Sequence, residues 1–320
     1  MAKKKSTEFG IAMRNFTRYP DMPEAGDLID YGVRMEELGF ESIWAWDHIL
    51  LGVEPSFPIH ESLMILSAVA ARTCRIKVGT GILVLPMRNP VLAAKQLATL
   101  DHISRGRLIV GAAVGWNKRE FDAMGVDFHK RGRIMEASLE IIQRLWTEPK
   151  VDGSYPPHNM RGSTLYPKPV QLPRPPILIG GYVDAVLKRA ATMGDGWITT
   201  LYTADSFRRG WARVRAFAED AGRDPGQLTS TNQLPIAIGP RSRIEARTRD
   251  WLQTEWDYAS WSESTMDSAI IGTPEECVEQ IESHMATGVD RLVFVPYKYE
   301  MDQVEALARD VLPKLRQRHR

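Results

Sequence analysis

An aspartate and a histidine stand side by side at Asp47 and His48, directly after the apolar run from Ile43 to Trp46. Histidine exchanges a proton more readily near neutral pH than any other side chain, and a neighbouring carboxylate can orient it, so the pair suits proton transfer with a substrate. A lone histidine more often serves structure, but this one lies just past the end of a buried run, where parallel α/β sheets bind their ligands. Further on, Gly79 and Gly81 flank Thr80 inside the run KVGTGILVLP. Glycine weakens a strand, so two of them in one suggest a bulge or a ligand lying against bare backbone. A third feature is the pair Gly180 and Gly181, which ends PILIGG before Tyr182, Val183 and Asp184 open a helical segment. Unpaired N–H groups at the positive end of a helix dipole suit a phosphate, although an ordinary tight turn reads the same way.

Other chemistries lack their residues. The chain has no GxxxxGK[ST] loop, no HExxH pair, no GxSxG elbow and no GxGxxG after its first apolar run, which leaves P-loop, zincin, serine hydrolase and Rossmann readings unsupported. Cys74 and Cys277 are the only cysteines, match no metal-ligand spacing and read as small buried residues; no metal site is expected. With 41 basic against 40 acidic residues the net charge is +1, so bulk charge predicts neither nucleic-acid nor membrane binding. Met1 to Lys5 is basic but no apolar core follows it, and no apolar run approaches the ~18 residues needed to span a bilayer; the expectation is a soluble, cytoplasmic protein.

The elements that must position these residues alternate regularly. Apolar runs and amphipathic segments pair as Phe9–Met13 with Leu28–Leu38, Ile43–Trp46 with Glu61–Arg72, Lys77–Pro86 with Val91–Ile103, and Leu108–Trp116 with Arg133–Trp146. They continue as Pro176–Gly181 with Asp184–Met193, Gly196–Thr200 with Ser206–Ala221, Thr231–Gly239 with Ile244–Tyr258, and Arg291–Pro296 with Val304–Leu315. Strands alternating with helices form parallel βαβ units, and a closed set of eight predicts an α/β fold, the (β/α)8 TIM barrel, here as one domain over residues 1–320. Insertions are expected at about 147–176, where Tyr155 to Pro176 holds seven of the 20 prolines, and at about 251–270. The aromatics of the second insertion, Trp251, Trp256, Tyr258 and Trp261, read as packing against the barrel rather than stacking on a ligand. The helices Glu61–Arg72 and Val91–Ile103 carry more Ala and apolar positions than one buried stripe needs, which predicts self-association as a homodimer.

Five separated motifs occur in order: the run ending in WDH; VGTGILVLPMRNP with KQLATLDHISRGRL; VGAAVGWNKREFDAMGV; KPVQLPRPPILIGG; and MGDGWITT. Together they resemble the luciferase-like monooxygenase superfamily, and most closely its deazaflavin (coenzyme F420) dependent oxidoreductases. The resemblance implies a flavin-type ring across the barrel mouth, with Gly180, Gly181 and Thr200 at its phosphate and a non-prolyl cis peptide between Gly81 and Ile82 behind it. It also implies cofactor contacts from Asp47, Thr80, Gly115, Trp116 and Tyr182, and catalysis by His48 with Asp47 holding the ring edge or orienting it. Val183 stands where family members commonly have serine, and Val114 where the luciferase branch has a phosphate-binding arginine. Trp116 replaces the catalytic glutamate of deazaflavin sugar dehydrogenases, which implies an apolar, aromatic-lined substrate pocket. His129, in FHKRG, reads as a surface or capping residue. The implied activity is F420-dependent hydride transfer with a small organic substrate; the alternative is a two-component monooxygenase that uses reduced FMN, O2 and a separate flavin reductase.

Overall fold

In the computed structural model, which describes residues 6–52, 56–256 and 265–318, eight parallel strands close into a barrel. They are β1 (Glu8–Ala12), β2 (Ser42–Ala45), β3 (Lys77–Val84), β4 (Leu108–Ala113), β5 (Ile177–Gly180), β6 (Gly196–Thr200), β7 (Thr229–Ile238) and β8 (Arg291–Pro296). Neighbours run β6-β5-β4-β3-β2-β1-β8-β7, and pairing of β6 with β7 closes the ring. The surrounding helices are α1 (Ala25–Glu37), α2 (Ser62–Arg72), α3 (Pro90–Ser104), α4 (Arg131–Thr147), α5 (Asp184–Met193), α6 (Ala204–Asp220), α7 (Arg241–Trp256) and α8 (Pro274–Met285). The last, α9, runs through Met301–Ala306, a π-helical turn at Leu307–Val311, and Leu312–Arg318. This is the (β/α)8 architecture that the alternation predicts. Among the described residues no helix is long and apolar enough to cross a membrane.

Strand periodicity divides each run between two cores. Phe9, Ile11, Ile43, Val78 and Leu108 face the helices, whereas Trp44, Ile109, Leu178, Ile198 and Val293 fill the lumen. Trp44 explains Gly79: a Cβ there would lie 2.5 Å from the indole, so that glycine makes room for a side chain and not for a ligand. A bulge interrupts β3 between Thr80 and Leu83, as its two glycines suggested. The lower end of the lumen is closed by charge. Glu8 meets Arg291 at 2.7 Å and Lys77 at 2.6 Å, and the guanidinium of Arg291 lies over the Trp44 ring. Burial alone would raise the Glu8 pKa, yet these two cations bring it below the ordinary carboxylate value.

The helix starts carry local signals. Asn89 accepts from the N–H groups of Val91 and Leu92 at the start of α3, with Pro90 at its first position, and Thr203 caps α6. At α8, Thr273 and Glu276 form a reciprocal capping box around Pro274.

Two expectations change. The helix after β7 that packs beside α9 on the barrel wall is α8, not the segment Ile244–Tyr258; α7 instead lies against Tyr297–Tyr299 and a short strand, Ile270–Gly272, that extends the sheet beyond β7. The sequence Thr273-Pro274-Glu275-Glu276 marks the start of α8 by its capping box. The first insertion, between β4 and β5 as expected, begins as a hairpin, Val151–Tyr155 with His158–Ser163, followed by irregular chain. Cys74 is exposed, in the turn after α2, and only Cys277 is buried. Trp251 does pack on the barrel end, edge-on to Tyr297 and Tyr299. Tyr258, Trp261 and the side chain of Trp256 lie outside the described residues.

Candidate active site

The C-terminal ends of the strands gather His48, Trp116, the Gly180-Gly181 turn and Thr200 around one mouth, above a lumen filled by Trp44. Asn15, at the end of β1, sets the height of the histidine loop. Its amide donates to the Trp46 carbonyl at 2.9 Å and its oxygen accepts the Trp46 N–H at 3.0 Å, clamping the chain one residue before Asp47.

His48 is not paired with Asp47. Its Nδ1 lies 2.9 Å from Oε2 of Glu120, a buried residue on the short helix Lys118–Ala123 after β4. The other carboxylate oxygen accepts the N–H groups of Ile49 at 2.6 Å and Leu50 at 2.9 Å. Burial would raise the Glu120 pKa, but the hydrogen bond and charge of His48, with the two amides, hold it below the ordinary carboxylate value. An ionised Glu120 accepts, so the neutral imidazole carries its proton on Nδ1 and presents its lone pair on Nε2. Trp116, half exposed, lies edge-on to the imidazole with centroids 5.7 Å apart. Glu120 was not legible as a site residue: in NKREFD it is one charged position of a polar segment, and only the fold buries it with Phe121.

Asp47 has another task. Its side chain is fully buried, accepting from Ser62 Oγ at 2.9 Å, the Val84 N–H at 2.8 Å and Arg88 Nη2 at 2.7 Å. Arg88 also pairs with Glu61 at 2.8 Å. The carboxylate therefore ties β2, α2 and the end of β3 together; it is taken by three donors, and the hydrogen-bond partner of His48 is Glu120 instead. The Thr80 side chain is likewise removed from the mouth. It lies between two inward glycines and so faces outward, where Oγ1 donates to the Gly111 carbonyl at 2.7 Å and accepts the Gly111 N–H at 3.0 Å.

The remaining expected residues do converge. The peptide between Gly81 and Ile82 is cis, and the Ile82 side chain reaches within 3.1 Å of where a Cβ on Gly180 would be. Gly115 turns the chain after β4 against Val84 and Phe121, which delivers Trp116. At the end of β5, Gly181 has φ +134, a region that favours glycine, and its carbonyl accepts the Trp197 indole N–H at 2.9 Å. Tyr182 follows, half exposed and packed on Tyr202 with ring centroids 5.4 Å apart. Val183 is the N-cap of α5 and supplies no side-chain cap; its carbonyl takes the Val186 N–H at 2.8 Å, which leaves the amides of Asp184 and Ala185 at the helix start. Arg213 pairs with Asp184 in the first turn of α5, which places one cation of α6 beside the turn. Leu201, directly after Thr200, is held left-handed at φ 62 with its N–H on the Gln233 carbonyl at 2.9 Å. Thr200 Oγ1 lies 3.4 Å from the same carbonyl.

The residues fit a flat ring that carries a phosphate. The α5 start offers the Asp184 and Ala185 amides with Arg213 nearby, and the buried Oε1 of Gln233, beside Gly81, has no partner among the described residues.

The family model described as luciferase-like monooxygenase matches residues 7–291. The F420-dependent glucose-6-phosphate dehydrogenase of Amycolatopsis mediterranei is 28% identical over 91% of this chain and 94% of its own. The FMNH2-dependent dimethylsulfone monooxygenase of Pseudomonas putida is also 28% identical, over 81% of this chain and 79% of its own. Among solved structures, the monooxygenase RslO1 from Streptomyces bottropensis superposes with a TM-score of 0.81 at 23% identity, covering 96% of this chain and 99% of that one, which shows a shared fold.

Proposed function

We propose that this chain, which belongs to the luciferase-like monooxygenase family, is an F420-dependent oxidoreductase that transfers hydride to or from a small, apolar organic substrate. The observation that carries this reading is the imidazole of His48, locked by Glu120 at 2.9 Å and set beside Trp116 at the barrel mouth. When bound, the deazaflavin supplies a carbon, C5, that takes or gives the hydride. In the oxidative direction His48 Nε2 accepts the proton of a substrate hydroxyl while hydride leaves the carbon that bears it, so an alcohol becomes a carbonyl compound. Glu120, kept ionised, holds the Nδ1 proton and offsets the charge that then forms on the ring. The turn at Gly180 and Gly181, the first amides of α5, Thr200 and the cation Arg213 would hold the phosphate; Gly81 and Ile82 would lie behind the ring, and Trp116 with Tyr182 would cover it.

Two substitutions support the substrate class and the cofactor. Trp116 takes the place of the sugar dehydrogenases' glutamate, and Glu120 is spent on His48 and two backbone amides, which favours an apolar substrate over a sugar. Val114 takes the place of the luciferase branch's arginine, which favours deazaflavin over FMN. The similarity to the dimethylsulfone monooxygenase supports a second reading: a reduced-FMN monooxygenase using O2 and served by a flavin reductase. Incubation of the protein with F420 or FMN, followed by desalting and absorbance, separates the two. Retained F420 is expected, and retention of FMN without F420 overturns the first reading. We also propose a homodimer through α2 and α3, where Met64, Val91, Leu92 and Ile103 are exposed.

A further inference from the structure

The lumen carries one polar side chain whose place neither packing nor hydrogen bonding explains. Gln233 lies on β7 in register with Thr200 on β6 and Val293 on β8, and it points inward. It crosses the barrel to the opposite strand, where its Oε1 sits 3.0 Å from the position of a Cβ on Gly81. Only 3% of the residue is exposed, and among the described residues Oε1 has no hydrogen-bond partner. The backbone of Gln233 is occupied, because its carbonyl holds Leu201 and faces Thr200. A buried carbonyl without a donor carries a desolvation cost that a methionine or leucine of similar size would not incur. A donor that enters the mouth would offset that cost.

We propose that Gln233 reads the hydrogen-bonding edge of the cofactor ring. A primary carboxamide offers a donor and an acceptor side by side, and its complement is another such edge, O=C–N–H. Flavin and deazaflavin rings share that edge in their pyrimidine imide. The side chain meets Gly81, the residue against which the ring is placed in the proposed function, and the inference rests on that reading. The terminal torsion of glutamine is soft, so the amide turns within the lumen to present either end. Gln233 is thus a binding and positioning residue: it fixes the ring in its plane above Trp44, while the turn at Gly181 fixes the phosphate.

Replacing Gln233 by Met keeps the volume and removes both hydrogen-bonding groups. Fluorescence or absorbance titration with F420 and FMN should show that Gln233→Met weakens the cofactor that wild type binds by roughly tenfold. Thermal unfolding of the cofactor-free variant should be unchanged or shifted upward, because an orphaned group has been removed; a packing role predicts a lower transition. The same ring methylated at its imide nitrogen should bind wild type about tenfold more weakly than the parent ring, and Gln233→Met should no longer distinguish the two. Equal cofactor affinity in wild type and variant, or equal affinity of wild type for the two rings, overturns the inference while leaving the cofactor assignment standing. Failure of wild type to bind either cofactor overturns the proposed function itself.

Discussion

Proton handling at this site depends on which nitrogen of His48 carries hydrogen, and that is decided by a residue 72 positions away in the chain. Glu120 accepts from Nδ1 because three partners, His48 and the amides of Ile49 and Leu50, hold its pKa below the ordinary carboxylate value in a buried place. Glu120→Gln can satisfy the same position by donating from its amide, which forces the neutral imidazole to protonate Nε2 and removes its lone pair from the mouth. Turnover should fall about 10²- to 10⁴-fold, as for general acid–base groups put in the wrong tautomer. His48→Asn should lose turnover by a similar factor and leave cofactor affinity within about threefold, since backbone and phosphate contacts do most of the holding. Steady-state rates read beside cofactor titrations decide the matter: weaker binding with unchanged turnover of the bound fraction rejects the proton role for both residues.

Among the elements, the start of α5 carries the phosphate reading. The helix opens without a side-chain cap, after a glycine that cannot be replaced freely: a Cβ on Gly181 would lie 3.0 Å from Val186 at φ +134. Gly181→Ala therefore measures strain alone, and Gly181→Asp adds a carboxylate beside the bound phosphate. Two like charges at ~4 Å repel by about 1 to 4 kcal/mol according to screening, so the aspartate variant should bind cofactor at least tenfold more weakly than the alanine variant. Equal affinities of the two variants would place the phosphate elsewhere.

For the whole molecule, two properties are open to measurement. Exposed Met64, Val91, Leu92 and Ile103 on α2 and α3 predict a twofold assembly, so sedimentation at micromolar concentration should show about twice 36.1 kDa; a single species at 36.1 kDa excludes it. Acid stability should depend on His284, buried on α8, where burial pushes its pKa from 6.5 down to about 4. The unfolded chain binds this proton before the folded one does, so the contribution is complete above pH 6.5 and is lost as pH falls toward 4. The difference corresponds to roughly 3 kcal/mol. Denaturant titrations at pH 7 and pH 4.5 should show a smaller stability loss for His284→Leu than for wild type, and equal losses would remove His284 from the account.

The barrel was legible in the sequence because each strand is buried on both faces and so reads as a short apolar run, with glycine marking where β3 and β5 reach the mouth. His48, Gly81 and Gly180 could be placed near strand ends from the runs themselves, whereas Ile82 and Thr200 entered as positions that the family resemblance implies. What a side chain meets there depends on rotation about the strand and on residues distant in the chain, which only the folded structure decides. Asp47 and His48 are adjacent just past β2, yet one turns outward to Ser62 on α2 and to Arg88 and the other turns to Glu120. Thr80 and Gly81 divide in the same way, one to Gly111 and one to the lumen. Gln233 looked like one polar residue in TNQLPIAIG; closure of the barrel carried its amide across the lumen to Gly81 and left it without a partner.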